Sequence, residues 1–429
     1  MLPGVMTPDS FATISFAKGE AELSNLHTVM FALFINYTSF KGELIFLSTL
    51  VITLLNVIAL YAVVNMFFKS YQKKFIIAVT GLLFFTPFFG PISVTIWKDS
   101  VYTPLTILGV VILLKSIQFK AASRKRMLYV VSTFILSIGA AFRHEGWVVL
   151  IFSGVMFFIY LKLFSVNSKK WETNRIPVVL IAAGITSMII QNSLVNLTGA
   201  TPVPKYDKTL SFLLDLQYVN ANKPELLLPA NRTLLNEISS GASLKSASTC
   251  SSSGDFFGPG FNSKAAEKNY LKILKVWLDE VQSDSRETLL LSRSCRIMSA
   301  LPPIFSAVPS TSNWPTIGIS QNTFGYTHPE FAKFAYPFGY AWNYFWKING
   351  SFIGWPGLHL LIIILILFFT DTGKKFRNNE FFQIISIIAL SRIIVLIATS
   401  SSQDYRYYYL LYFISLPLIT SLIIDKYKK

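Results

Sequence analysis

The sequence predicts an all-α transmembrane bundle of about nine helices with one large insert outside the membrane, and three observations predict it. Only 14% of the 429 residues are charged and 52% are hydrophobic. A soluble domain carries roughly 25% charged residues, and hydrocarbon does not solvate charge. Apolar segments of about 20 residues, the length a helix needs to cross a bilayer core, recur along the chain. Every second loop between them is basic, the mark of cytoplasmic loops. The net charge of +16 is therefore a topology signal and not a nucleic-acid footprint, because the basic residues sit in short loops between apolar runs.

The expected spans are 44–68, 75–96, 101–118, 127–143, 146–163, 176–195, 352–370, 381–402 and 407–424. Several have short uncharged cores and span if Lys115 and Lys162 snorkel at their ends. Lys69, Lys73 and Lys74 follow the first span; Lys120, Arg124, Lys125 and Arg126 the third; Lys169, Lys170 and Arg175 the fifth. Lys374, Lys375 and Arg377 follow the seventh, and Lys426, Lys428 and Lys429 end the chain. With these loops inside, the opposite face holds 1–43, 97–100, 143–146, about 196–350 and 403–406. Four regions result: a first outer loop, 1–43, with amphipathic helices; six spans in 44–195; an outer insert, 196–350; and three spans in 351–429. Nothing before residue 43 would carry the first loop across the membrane, so a preceding helix, the tenth of the bundle, is expected.

The insert is expected to be mixed in structure. Residues 239–262 are rich in Ser and Gly and read as loop. Tyr270, Ile273, Val276, Trp277 and Val281 recur at helical spacing, giving helix over 264–296, and the Pro- and aromatic-rich 300–346 reads as a cap over the membrane. Both cysteines, Cys250 and Cys295, fall here; a disulfide is permitted if the insert is outside, and two unpaired thiols are the alternative. There is no internal repeat, Walker loop or dinucleotide-binding glycine pattern.

Polar residues collect in the outer loops. Thr7-Pro8-Asp9-Ser10 and His27 lie in the first, Trp97-Lys98-Asp99-Ser100 in the second, Arg143-His144-Glu145-Gly146 in the third, and Asp404-Tyr405-Arg406-Tyr407 in the last. Arg392 falls midway through an apolar span, where an ionisable group is costly and usually functional. Short loops on bundled helices bring these charges to one rim. Carboxylates there suit a general base or a hard divalent cation, and Arg and Lys suit a phosphate. Each residue also has a structural reading. Asp9 suits a helix cap, Trp97 a headgroup anchor, Arg143 and Glu145 a local ion pair, and Arg392 a helix–helix bond. His27 and His144 suit packing, and the tyrosines at 405–409 an aromatic belt.

The order of these motifs resembles the GT-C superfamily of polytopic membrane glycosyltransferases, in the branch that uses polyprenyl-phosphate-linked sugars. It runs from Pro-Gly-x-x-x-Pro-Asp-Ser, through a His entering a helix and Trp-Lys-Asp before a span, to Arg-x-Glu-Gly at an outer helix end and Arg-Tyr before the last span. The resemblance covers most of residues 1–200 and the C-terminal spans, but not the insert from about 200 to 345. It implies an acidic residue at Asp9 that acts as catalytic base or sits beside a metal, and a second acid at Asp99 that contributes to the site, often near a divalent cation (Mg or Mn). Lys98, Arg143 and Arg406 would hold the lipid phosphate.

Read with the other polar residues, the expected site joins Asp9, Asp99 and Glu145 as the acids to Lys98, Arg143, Arg406 and Arg392 as the phosphate ligands, with His27 and Tyr407 beside the substrate. The expected activity is hexosyl or pentosyl transfer from a polyprenyl-phosphate donor to a hydroxyl of a glycan, lipid or protein acceptor. It would take place at the outer face of a plasma (inner) membrane, in cell-envelope glycan biosynthesis. The donor is already activated, so no nucleotide fold is needed; the enzyme orients the acceptor and stabilises the departing phosphate. Two other classes fit many spans. A flippase or transporter of lipid-linked glycans predicts repeats and broken helices. A glycan polymerase or ligase predicts essential outer arginines and no need for Asp9. The Lys/Ile/Phe-rich composition leans bacterial, so the Asn-x-Ser/Thr patterns at Asn36, Asn196, Asn231 and Asn349 carry no weight.

Overall fold

The computed structural model describes residues 6–86, 89–164, 175–249, 254–297, 356–369, 380–399 and 408–427. These are helical, with no strand among them beyond two isolated bridges. The chain divides into two units.

The first unit begins with two short helices, α1 (Pro8–Lys18) and α2 (Val29–Thr38). The bundle follows: α3 (Ile45–Phe67), α4 (Lys73–Phe84), a single turn α5 (Gly90–Ser93), α6 (Asp99–Gln118), α7 (Ala122–Ala141), α8 (Gly146–Phe164) and α9 (Arg175–Thr198). Among the described residues, α3, α6, α8, α9 and a later helix, Glu380–Thr399, are long and apolar enough to cross a membrane. The chain is a multi-pass membrane protein on this ground. Lys115 and Lys162 are both exposed near the ends of their helices, as snorkelling requires.

Small residues bring the helices together. A Cβ on Gly109 of α6 would lie 2.6 Å from Leu136 Cγ of α7. On α8 and α9 the relation is reciprocal: a Cβ on Gly154 would meet the Pro177 carbonyl at 2.9 Å, and one on Gly184 the Trp147 carbonyl at 2.8 Å. Lipid tails are as apolar as leucine, so close backbone approach of this kind drives helix association in place of the hydrophobic effect.

The expected span 75–96 is interrupted. Helix α4 stops at Phe84, α5 is one turn, and Val94 to Lys98 are not helical. A new turn begins at Gly90-Pro91, a helix-start pattern because proline has no N–H to bond backwards, and this sets α5 off from α4. Irregular backbone inside a membrane protein survives only where its polar groups are satisfied within the protein. Here side-chain hydroxyls do this. Ser100 donates to the Ile92 carbonyl at 2.7 Å, Thr53 to Ser93 at 3.3 Å and Ser10 to Ile96 at 2.9 Å.

Residues 356–369, 380–399 and 408–427 supply α15 (Pro356–Phe369), α16 (Glu380–Thr399) and α17 (Tyr409–Tyr427), where three C-terminal spans are expected. Buried His359 on α15 meets Ser415 on α17 at 2.7 Å. Tyr409, at the start of α17, donates to Asn56 Oδ1 of α3 at 3.0 Å, while Asn56 Nδ2 donates to the Ser100 carbonyl at 2.8 Å. One buried asparagine thus ties the beginnings of α6 and α17 together.

The second unit takes its described part from Val203–Asn313 and the end of α16. Its helices are α10 (Leu210–Asn222), α11 (Pro229–Ile238), α12 (Gly241–Ala247), α13 (Ser263–Val281) and α14 (Arg286–Arg296). Two expectations are corrected. The insert's described residues are helical, not mixed, and 239–262 is not all loop. Helix α12 forms there because Ser243 and Ala247 are buried and Ser243 Oγ donates to the Phe256 carbonyl at 2.7 Å. The expected helix 264–296 is two helices. They divide where buried Glu280 gathers Asn231 (2.7 Å), Ser283 (2.9 Å) and Ser285 (2.7 Å). Cys295 is not a free thiol; Cys250 and the expected cap at 300–346 lie outside the described residues.

Candidate functional site

The loops expected to share a rim converge in the first unit. The start of α1 docks on the segment before α6: Trp97 Nε1 donates to Thr7 Oγ1 at 2.8 Å, and Ser10 reaches Ile96. The segment entering α2 docks on the end of α7, where Thr28 Oγ1 donates to the Phe142 carbonyl at 3.1 Å. Thr28 holds φ at +64°, a costly conformation for a β-branched residue. Gln191 of α9 donates to the Arg143 carbonyl at 2.8 Å and so closes the end of α7.

At this rim Asp99, Arg143, Glu145 and Arg392 form one buried ionic cluster. Arg143 Nη1 and Arg392 Nη2 both bind Asp99 Oδ1, the latter at 3.1 Å. Arg143 also places Nε at 2.6 Å and Nη2 at 2.5 Å from Glu145 Oε1. Arg392 Nη1 lies 3.9 Å from the same oxygen, and its guanidinium stands 4.7 Å over the Tyr102 ring. The exposures of Asp99, Arg143 and Arg392 side chains are 1%, 5% and 3%, while Glu145 keeps 17%. The ion pair that is one structural reading of Arg143 and Glu145 exists, yet it is part of a four-residue network that also fixes Arg392.

Local sequence explains the turn that carries two of the four. Arg143 N donates to Ala140 O and Gly146 N to Arg143 O, at 3.1 and 3.0 Å. A Cβ at Gly146 would lie 2.2 Å from the Ala140 carbonyl oxygen, so only glycine lets α8 start this close to the end of α7. The tight turn aims Arg143 and Glu145 at the same neighbours.

Electrostatics favour an anion. Lys98, Arg143 and Arg392 against Asp99 and Glu145 leave an excess of one positive charge. Burial alone would raise the Glu145 pKa, but Arg143, Arg392 and Lys98 outweigh it and hold the carboxyl well below the ordinary carboxylate range. Its charge therefore supports the fold above the unfolded value of about 4.3 and is lost only as pH falls through the depressed folded value. We expect thermal unfolding in detergent to lose this contribution progressively below about pH 4.3, and Glu145→Gln to show a shallower acid limb.

The other expected residues divide. Asp9 sits in the first turn of α1, half-buried, and its carbonyl accepts from Thr13, while its neighbours Thr7 and Ser10 make contacts with the Trp97 segment. His27 ends the 3-10 turn Asn25–His27 beside Thr28, and is half-buried. Lys98 is half-buried at the start of α6. Arg406 and Tyr407 lie outside the described residues. A divalent cation between Asp9 and Asp99 meets an unsuitable donor set. Asp99 Oδ1 already faces two guanidiniums that repel a cation, and among the described residues no group of three or more His, Cys, Asp or Glu side chains converges.

Tyr102, Asn56 and Gln191 were not singled out by sequence. Each is an uncharged polar residue within an apolar helix, and the available signal was helical spacing: Tyr102 follows Asp99 by three residues and shares its face. A second buried ionic cluster also escaped notice. In the second unit, Asp215 pairs with Arg293 at 2.5 Å and Arg296 at 3.2 Å, and accepts from Trp277 and Ser292. Its acid is fully committed to partners in its own core. The chain matches no protein family, no curated protein and no solved structure.

Proposed function

We propose that the chain is a membrane glycosyltransferase that moves a sugar from a polyprenyl-phosphate donor to an acceptor hydroxyl at the extracytoplasmic face of a plasma membrane. The observation that carries this reading is the buried cluster of Asp99, Arg143, Glu145 and Arg392, whose four charges cancel, with half-buried Lys98 close enough to act on Glu145 and add one positive charge. A sugar–lipid phosphodiester carries one negative charge and would neutralise it. The basic residues of 69–74 and 120–126 follow the C-terminal ends of α3 and α6, and α6 carries Asp99 at its opposite end, which supports the outer placement.

In this mechanism Asp9 takes the proton of the acceptor hydroxyl, whose oxygen attacks the anomeric carbon. The bond from that carbon to the phosphate oxygen breaks, and its electron pair leaves with the polyprenyl phosphate. Arg143, Arg392, Lys98 and Arg406 hold the developing charge, while Asp99 and Glu145 fix the guanidiniums in place before the substrate arrives. Such preorganisation removes the cost of reorienting them during the reaction.

A flippase of lipid-linked glycans is the second reading, and the interrupted segment after α4 favours it, since transporters place broken helices at their sites. Transfer of labelled hexose from a polyprenyl-phosphate donor to membrane acceptors separates the two. Wild type is expected to form glycosylated product, Asp9→Asn to fall by about 10²–10⁴-fold as for loss of a general base, and Arg406→Ala to lose donor affinity. Undiminished product from Asp9→Asn overturns the mechanism. Movement of intact donor across vesicles without product favours the flippase.

A further inference from the structure

Asp99 Oδ2 and the Tyr102 hydroxyl are buried polar atoms of the cluster whose hydrogen-bonding capacity the described residues leave unused. Asp99 Oδ1 is taken by both arginines, but Asp99 Oδ2 receives no hydrogen bond. The Tyr102 hydroxyl, also fully buried, lies beside the Arg392 guanidinium, which only donates, and finds no acceptor for its own proton among the described residues. A buried carboxylate oxygen without a donor, or a buried hydroxyl without an acceptor, carries an unrecovered desolvation penalty. Both atoms belong to one helix at a spacing of three residues, so they project from the same face. Arg392 binds Asp99 and lies over the Tyr102 ring, which places both beside the same guanidinium.

Their needs are complementary. Asp99 Oδ2 accepts only, and the phenol has a proton to donate. A single hydroxyl seated between them would donate to the first and accept from the second. We propose that this pair is a hydroxyl subsite for the donor sugar, occupied by the hydroxyl on the carbon next to the phosphate-bearing anomeric carbon. This rests on the reading of the arginines as the phosphate site. With phosphate on Arg143 and Arg392, the neighbouring sugar hydroxyl is the substrate group nearest to Asp99 and Tyr102. Tyr102 and Asp99 Oδ2 then select donors that bear a hydroxyl at that carbon. A site built to bind a hydroxyl rejects its deoxy analogue, because the site's own polar atoms stay unpaired.

A resident water offers the same chemistry from another source, and the test separates the two. Purified full-length chain in nanodiscs is titrated with undecaprenyl phosphate, with its glucosyl, galactosyl and mannosyl esters, and with the matching 2-deoxy esters. Wild type is expected to bind at least one 2-hydroxy ester about tenfold or more tightly than its 2-deoxy partner, the worth of one well-made buried hydrogen bond. Tyr102→Phe keeps the ring under Arg392 and removes only the hydroxyl. Its unfolding temperature is expected to be unchanged or raised, its binding of bare undecaprenyl phosphate unchanged, and its preference for the 2-hydroxy ester abolished. A merely structural tyrosine would lower the unfolding temperature on substitution and leave the preference intact. No preference in wild type, or an equal preference in Tyr102→Phe, overturns the subsite and assigns the space to water. Failure of wild type to bind any polyprenyl phosphate overturns the phosphate reading itself, and the subsite with it.

Discussion

Asp99→Asn is expected to destabilise the bundle by about 3–5 kcal/mol and to abolish sugar transfer. The substitution keeps the side chain's shape and removes its charge. Two buried guanidiniums then lose the negative charge they share, and Lys98, Arg143 and Arg392 face Glu145 as the one remaining acid of the cluster. Removing one member of a buried ionic network costs about this much because the charges left behind are uncompensated. The companion variant sharpens the claim. Asp99→Asn combined with Arg392→Met restores the excess of one positive charge, so most of the lost stability should return while transfer should not. Denaturation in detergent measures the first and product formation the second. A double variant no more stable than Asp99→Asn alone would show that the network is not held by charge balance.

Gly146→Ala is the second change with a large expected effect. The new methyl would lie 2.2 Å from the Ala140 carbonyl oxygen, a backbone atom that cannot swing aside. Helix α8 must retreat from the end of α7, and the turn carrying Arg143 and Glu145 opens. Overpacking of this kind costs roughly 1–3 kcal/mol, and a displacement near 1 Å of a positioned group costs about 10²-fold in rate. The variant should therefore fold with reduced stability and transfer at about a hundredth of the wild-type rate. Wild-type transfer from a stably folded Gly146→Ala would show that the turn does not position the site.

How far the sequence could be read depends on what each feature rests on. Continuous apolar length is a property of the chain itself, so 44–68, 101–118, 127–143, 146–163 and 176–195 correspond closely to α3 and α6 to α9. Hydropathy is blind to backbone, so 75–96 reads as one span although α4 ends at Phe84 and a separate turn begins at Gly90. Helix α12 was hidden because Ser and Gly read as loop until Phe256 supplies a core for them. Charges inside or beside apolar spans are conspicuous, which is why Asp99, Arg143, Glu145 and Arg392 stood out although Asp99 and Arg392 are 293 residues apart. Their pairing was not legible, because it depends on which helices touch. Tyr102 and Asn56 carry no charge and interrupt no pattern. Their roles come from what surrounds them.

The central claim is that the Arg143–Arg392 cluster receives a lipid phosphate. A polyprenyl phosphate with a photoreactive group beside the phosphate tests it most directly. After irradiation of the full-length chain in nanodiscs and peptide mapping, the label should fall on the start of α6 or around Arg392 in α16, and the Asp99→Asn, Arg392→Met variant should lose it. Label confined to the exposed apolar groove of Ile58, Ile77 and Phe85 on α3 and the end of α4, and unchanged in that variant, would contradict the account.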